Sequence, residues 1–323
     1  MLLSIWEPEV ILACLAVSLV LDAFIGDPRW LPHPVAAAGA VIGWADRALN
    51  RPTFGAMARL VLGVLAVVLL LAGAAAIGWG LSWLLALVPG GWLIEAACVA
   101  LLLAQRSLYI HVRAVRRAFA GGLGPARAAV AHIVGRDPAQ LDEAGICRAT
   151  IESLAENNSD GVVAPVFWYL LFGLPGLLAY KMLNTADSMI GYRNARYRAF
   201  GWTAARLDDL ANFLPARLGA LMFAAAAGGR AGSVWRTAAR DGPRHESVNA
   251  GWPEAAMAGA LDLALAGPRH YGEVETDGAW MNPDGARDAT PADIGRALRL
   301  YLVATGLLWL AVVAALAIAR ELS

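Results

Sequence analysis

Residues 60–88 read LVLGVLAVVLLLAGAAAIGWGLSWLLALV, a stretch that holds no Asp, Glu, Lys or Arg. A hydrocarbon core about 30 Å thick is crossed by about 20 mostly apolar residues in a helix, and this segment exceeds that length. Composition agrees with a bilayer as solvent. Hydrophobic residues make up 59% of the 323 and charged ones 16%, and mean hydropathy is +0.54. Soluble domains sit nearer about 45–50% apolar and about 25% charged. Lys plus Arg and Asp plus Glu number 26 each, so the basic surplus expected of a nucleic-acid binder is missing.

Working outward, residues 10–25 and 298–319 are further apolar runs of near-spanning length. Residues 92–104 are shorter and carry Glu95, but they follow a Pro89-Gly90-Gly91 turn. Together with residues 60–88 they read as a helical hairpin. Residues 162–183 and 213–227 are apolar but interrupted by Pro165, Gly173, Pro175 and Gly176, or by Arg217. Such segments read as re-entrant, interfacial or protein-buried helices, since lipid tolerates irregular backbone only under protein cover. The fold class expected is an all-α polytopic membrane protein with about four full spans, broken helices and a loop-rich cytoplasmic lobe. Glu7 and Glu9 stand where a signal peptide would be basic, so the first apolar run reads as a membrane helix rather than a cleaved leader.

Arginines orient the chain. They crowd residues 106–148, 193–206 and 230–244, which the positive-inside rule assigns to the cytoplasmic side. The chain reads as one membrane-embedded domain over 1–323. Membrane helices occupy 1–105, a cytoplasm-facing helical core with broken segments 106–240, a polar lobe 241–295 and a last membrane helix 296–323. Gly121-Gly122-Leu123-Gly124-Pro125 is a helix stop, and the lobe holds one small-residue helix over 254–266. Strand signals are nearly absent. Cys14, Cys98 and Cys147 stand singly, without metal-ligand or disulfide spacing, and read as buried thiols.

Polar residues gather in separated clusters. If helical, Glu152, Glu156 and Asp160 lie at i, i+4 and i+8 on one face. Carboxylates so stacked repel unless a cation lies among them, the way Mg²⁺ sites with phosphate substrates are built. A solvated face is the plain alternative, but this run enters apolar residues directly, and ionisable groups at a membrane boundary are functional by default. Lys181, Asn184, Asp187 and Ser188 share a second face. They suit either a structural Lys181–Asp187 pair or a metal-bound Asp187 with Lys181 on a phosphate. In a third cluster Asp208 and Asn212 stand one turn apart, with Asp209 on the flank and Arg206 and Arg217 near in sequence. That set suits a salt-bridge network or a second Mg²⁺ with arginine on a phosphoryl group. Near the first helix, Asp22 and Asp27 precede His33, which Pro32 and Pro34 hold extended. No phosphate-binding GxxxxGK[ST] loop, GxGxxG or GxSxG occurs.

Taken together, the wording of these motifs closely resembles the CobD/CbiB family of adenosylcobinamide-phosphate synthases. The matching stretches are Gly26-Asp27-Pro28 with Pro32-His33-Pro34-Val35; Glu152 to Asn157 with Ser159-Asp160-Gly161 and Ala164-Pro165; and Asn184-Thr185-Ala186-Asp187-Ser188 through Tyr192. Tyr197-Arg198-Ala199-Phe200-Gly201, Ala205 to Asn212 with Pro215-Ala216-Arg217, and Asn249-Ala250-Gly251-Trp252-Pro253-Glu254-Ala255 follow in family order. Val248 replaces the proline usual ahead of Asn249, which loosens a turn.

The resemblance implies an inner-membrane, multi-pass ligase with its active face toward the cytoplasm. It would join adenosylcobyric acid to an aminopropanol phosphate, or a related amino alcohol, using ATP and Mg²⁺. Partners implied are these substrates and the lipid bilayer, with room for a homo-oligomer or cobalamin-assembly proteins. On that reading Glu152, Glu156, Asp160, Asp187, Asp208 and Asp209 form the metal and base set, with Mg²⁺ on Glu156, Asp160, Asp187 and Asp208. Lys181, Arg193, Arg206 and Arg217 would meet phosphates. Asn157, Asn184, Asn212 and Asn249 would hydrogen-bond the corrin amides or the nucleotide. Trp252 and Tyr271 would stack on the macrocycle, and Asp27, His33 and Ser188 complete the substrate set. Two other classes stand beside the ligase: a membrane sensor from a distantly related family, and a transporter built on discontinuous helices. The sensor would not need three carboxylate–amide clusters, and the transporter would place its charges at span centres rather than at segment ends.

Overall fold

The computed structural model describes residues 4–26, 34–135, 138–271, 274–276 and 278–322, the side chains of 269–271 and 274–276 excepted. Helices α1 (Pro8–Phe24), α2 (Pro34–Leu49), α3 (Ala56–Ala86), α4 (Gly91–Ala100), α5 (Gln105–Ala118), α6 (Leu123–Val130) and α7 (Glu143–Asn158) come first. A π-helical turn, Ser159–Val163, leads into α8 (Ala164–Ile190). Then follow α9 (Trp202–Ala211), α10 (Phe213–Ala226), α11 (Ala231–Asp241), α12 (Gly251–Leu261), the short strands β1 (Leu265–Ala266), β2 (Arg269–Tyr271), β3 (Val274–Thr276) and β4 (Trp280–Met281), and α13 (Pro291–Leu322). The protein is thus an all-α polytopic membrane protein. Where the sequence reads as one domain, the chain forms two compact units. One comprises Met1–Ala104, Ala164–Asn212 and Val312–Ser323; the other comprises Gln105–Val163 and Phe213–Ala311.

Among the described residues four stretches are long and apolar enough to cross a membrane: Ala56–Ala86, Gly91–Gly121, Glu143–Ile190 and Pro291–Leu322. The expected number stands, but its membership changes. The run at 10–25 lies in α1, whose 17 residues reach only about 26 Å at about 1.5 Å each. The run at 162–183, expected to be re-entrant, interfacial or protein-buried, falls within a stretch of spanning length whose apolar portion is more than half buried by protein. The expected protein cover is therefore present, and arginines on both sides of the run, up to Arg148 and from Arg193, fit partial insertion. Its expected break is present. Gly173 has φ 65° and ψ −156°, just ahead of Pro175, a left-handed conformation that glycine alone adopts cheaply.

In the first unit α3 buries a narrow stripe that includes Gly63, Ala66, Ala74, Gly78 and Ser82, while Val61, Leu65, Leu69, Ile77 and Trp79 stay exposed. Helices in lipid gain little from hydrophobicity between themselves, so close contact at small residues holds them. A Cβ on Gly78 would lie 2.7 Å from the Pro175 backbone, which places α8 directly against that stripe. Glu95 of α4 is fully buried, and its carboxylate is satisfied internally. Trp6 Nε1 and Ser82 Oγ donate to Oε2 at 2.7 Å each, and the Tyr169 hydroxyl donates to Oε1 at 2.9 Å. A second core of Ile42, Ala66, Val67, Leu183, Ile190 and Phe200 anchors the C-terminal half of α8.

The second unit packs around α12, whose Ala255, Ala256, Met257 and Ala258 are wholly buried with Ile151 and Leu154 of α7, Phe223 of α10 and Ala238 of α11. Asp142 caps α7, accepting the Gly145 amide at 2.7 Å, an arrangement worth about 1 kcal/mol. The helix expected over 254–266 stops earlier. Asp262 turns left-handed at φ 59°, and Leu265–Ala266 pairs antiparallel with Trp280–Met281. Arg269–Tyr271 pairs likewise with Val274–Thr276. The expectation of almost no strand holds: the two ladders are two and three residues long, too brief to leave a periodic signal. Cys14 and Cys147 are buried as expected, whereas Cys98 is half-buried.

Candidate functional site

Among the described residues, each unit carries a polar cluster built from the motif residues. In the first, α8 presents Tyr180, Lys181, Asn184 and Asp187, and α9 presents Asp208, Asp209 and Asn212. The Tyr180 hydroxyl donates to Asn212 Oδ1 at 2.9 Å, and Asn212 Nδ2 donates to Asp208 Oδ2 at 3.0 Å. The Asn184 side chain faces the same carboxylate. Asp208 is buried, and its Oδ1 makes no hydrogen bond of normal geometry. Burial pushes the Asp208 carboxyl up to about 7; the neighbouring Asp187 and Asp209 charges add to this, while the Asn212 and Asn184 amides oppose it. Asp209 is paired with Arg206 at 3.2 Å. Lys181 is half-buried on the same helix, and the exposed Ser188 donates its hydroxyl to the Asn184 carbonyl at 2.9 Å.

This arrangement gathers three carboxylates, with Lys181 and Arg206 as the cations on the same two helices. Three carboxylates within electrostatic reach cannot all ionise comfortably, and a proton or a cation resolves the conflict. Among the described residues no three His, Cys, Asp or Glu side chains form a ready-made metal-binding group. Magnesium seldom needs one, because it binds through one or two carboxylates together with substrate phosphates and water. The unpartnered Oδ1 of Asp208 and the nearby Asp187 are hard oxygen donors of that kind, so these residues fit the ion.

In the second unit Arg217 of α10 lies over the Phe213 ring at 3.7 Å and the Trp252 ring at 4.6 Å. It donates to Asn249 Oδ1 and the Phe213 carbonyl at 2.9 Å, and to the Val248 carbonyl at 3.3 Å. Partial burial lowers its pKa, from a value so high that the guanidinium remains cationic. Trp252 Nε1 is buried without a hydrogen-bond partner. The turn loosened by Val248 is held another way: Ser247 Oγ accepts the Asn249 and Ala250 amides at 3.2 and 3.1 Å.

The acidic stretch of α7 departs from its expected geometry. The π-helical turn Ser159–Val163 shifts Asp160 off the α-helical repeat, and the expected common face divides. Glu152 is buried and accepts the Ala266 amide at 2.9 Å, tying α7 to β1. Glu156 and Asn157 are exposed and Asp160 is half-buried. Asn157 donates to the Ser153 carbonyl at 2.9 Å. Arg193 is exposed in the turn after α8. Asp27 and His33 lie outside the described residues, as does the Tyr271 side chain. Tyr180 went unread in the sequence. Its signal is a phenol one residue ahead of Lys181 in an apolar helix, where a hydroxyl needs a partner.

A profile described as "CobD/Cbib protein" matches residues 15–301. The chain is 53% identical over 304 residues to the "Cobalamin biosynthesis protein CobD" of a Sinorhizobium species, covering 91% of this chain and 94% of that one. It is 49% identical over 316 residues to the protein of the same name from Rhizobium meliloti, covering 94% and 97%. The Rhodobacter capsulatus protein of that name is 45% identical over 298 residues, covering 90% and 92%. No solved structure matches the chain.

Proposed function

The chain belongs to the CobD/CbiB family and acts in cobalamin biosynthesis, and from that premise we propose that it is an adenosylcobinamide-phosphate synthase. The substrates are adenosylcobyric acid, ATP and (R)-1-aminopropan-2-ol O-phosphate or a related amino alcohol. The observation that carries the reading is the buried Asp208 carboxylate, oriented by Asn212 and Tyr180 beside Asp187 and Asp209.

A carboxylate is a poor acyl donor. In the proposed reaction a corrin propionate oxygen attacks the γ-phosphorus of ATP, the bond from that phosphorus to the β–γ bridging oxygen breaks, and ADP leaves. The substrate ammonium then loses a proton, and its nitrogen attacks the acyl phosphate carbon. As the bond from that carbon to the phosphate oxygen breaks, the nitrogen gives up a second proton, which leaves with the inorganic phosphate, and the amide forms. Asp187 and Asp208 would hold Mg²⁺, which when bound neutralises charge on the transferring phosphoryl group. Asn184 and Asn212 orient Asp208, and Asp209 fixes Arg206 where a phosphate can approach. A carboxylate of this same cluster, Asp209 among them, is the candidate base for the ammonium proton. Arg217, backed by Phe213 and Trp252, presents a planar cation suited to a phosphate or carboxylate. The protein would lie in the inner membrane with these residues facing the cytoplasm.

Purified protein incubated with adenosylcobyric acid, ATP, Mg²⁺ and aminopropanol phosphate should release ADP and form the amide in equal amounts. Asp187→Ala should abolish both while leaving the protein monodisperse. Absence of ADP and amide from the unaltered protein would sink the ligase reading.

A further inference from the structure

The stretch Tyr197 to Gly201 takes no part in the chemistry above, yet it helps to wall a cavity in the first unit. The cavity measures about 500 Å³ and is lined by Met57, Arg59 and Leu60 from the first turns of α3, and by Arg198, Ala199 and Trp202 at the approach to α9. Apart from the two guanidinium groups the lining is apolar. Because α3 starts at Ala56 and is one of the stretches able to cross a membrane, its first turns meet the membrane–water boundary. Met57 and Trp202 are 71% and 50% exposed. Tryptophan at that depth is typical of the interfacial belt.

The two arginines differ in a telling way. Arg59 is fixed in place: its Nε donates to Asn50 Oδ1 at 2.7 Å, and its guanidinium also donates to the Arg196 carbonyl. Arg196 in turn is bonded to Asp46 at 2.6 Å. The Arg198 guanidinium has no hydrogen bond or ion pair among the described residues. No acidic residue lines the cavity. A preorganised cation, a second cation without a partner and an apolar floor at headgroup depth together complement one kind of molecule.

We infer that this cavity binds an anionic phospholipid, with the phosphate on Arg59 and Arg198 and the glycerol and first acyl carbons against Met57, Leu60 and Trp202. A soluble phosphate compound would use the same guanidinium groups but would leave the apolar floor wet. A bilayer presents both chemistries at this depth, and basic residues there favour anionic lipid.

Full-length protein reconstituted in equal parts phosphatidylglycerol and phosphatidylcholine, extracted and weighed by native mass spectrometry, tests the assignment. Retained phosphatidylglycerol should exceed phosphatidylcholine at least fivefold. Arg198→Gln, which removes no internal side-chain bond, should bring the ratio close to one, and Arg59→Gln should do the same if it remains folded. An unaltered protein without preference, or an Arg198→Gln variant with the preference intact, overturns the proposal. So does displacement of the retained lipid by millimolar glycerol 1-phosphate, which would mark a site for soluble phosphates. Amide synthesis is not read in this experiment, so the ligase proposal can fail without affecting it.

Discussion

Asp208 concentrates the energetic tension of the first cluster in one side chain. Its folded pKa, about 7, exceeds the ordinary carboxylate value because burial penalises the charge. Between about pH 4 and pH 7 the folded chain therefore holds a proton that an unfolded chain releases. The contribution favours folding at low pH and is lost as pH rises through 7. Asp208→Asn keeps the size and removes the titration. Without metal or nucleotide, its melting temperature should exceed the unaltered protein's by a few degrees at pH 8, by less near pH 5, and match it only below about pH 4. ADP release should fall by about 10²-fold or more, since the lost oxygen sits where charge must be neutralised. Differential scanning fluorimetry at several pH values, with an ADP assay beside it, checks both halves. Arg217→Lys keeps the charge but loses the planar stack on Phe213 and Trp252 and the fork to Asn249 and Val248. The KM for the phosphate-bearing substrate should rise about tenfold with kcat little changed, because lysine is a point charge that cannot reproduce the fork.

At the scale of elements, the packing of α3 on α8 gives a paired prediction. Gly78→Leu would force a side chain into the Pro175 backbone, 2.7 Å from a Cβ alone, whereas nothing lies within 4 Å of a Cβ at Gly73. Gel filtration in detergent should show the first variant aggregated or absent and Gly73→Leu monodisperse. This level also shows what the sequence could and could not reveal. The break in α8 was legible because Gly173, Pro175 and Gly176 are each poor helix residues. The π-helical turn at Ser159–Val163 was not, since its residues carry no propensity that separates one extra residue per turn from an ordinary helix. That single turn took Asp160 off the expected carboxylate face, while buried Glu152 and exposed Glu156, both within α7, are told apart by what packs against that helix. The Asp208–Asn212 bond followed from i, i+4 spacing alone. The approach of Tyr180 and Asn184 to it did not, because it depends on the packing of α8 against α9 rather than on either helix.

For the whole molecule, charge bias makes the strongest claim. Arginines at 193, 196, 198 and 206 should face the cytoplasm if the positive-inside rule governs this chain. In a variant with its native cysteines replaced, Arg193→Cys should react with an impermeant maleimide in inverted vesicles and resist it in intact spheroplasts. Reaction in spheroplasts would reverse the assigned orientation. The same large scale explains why the two units escaped the sequence. Apolar runs reveal which segments leave water, but not which runs pair across a hundred or more residues. One consequence follows from how these units are drawn. The first needs residues from both ends of the chain and its middle, and the second needs the two segments between them. Neither can be acquired, lost or exchanged as a contiguous stretch of gene, so each is inherited only with the other, and the unit that starts first stays incomplete until residues past Ala311, the last of the other, have been made.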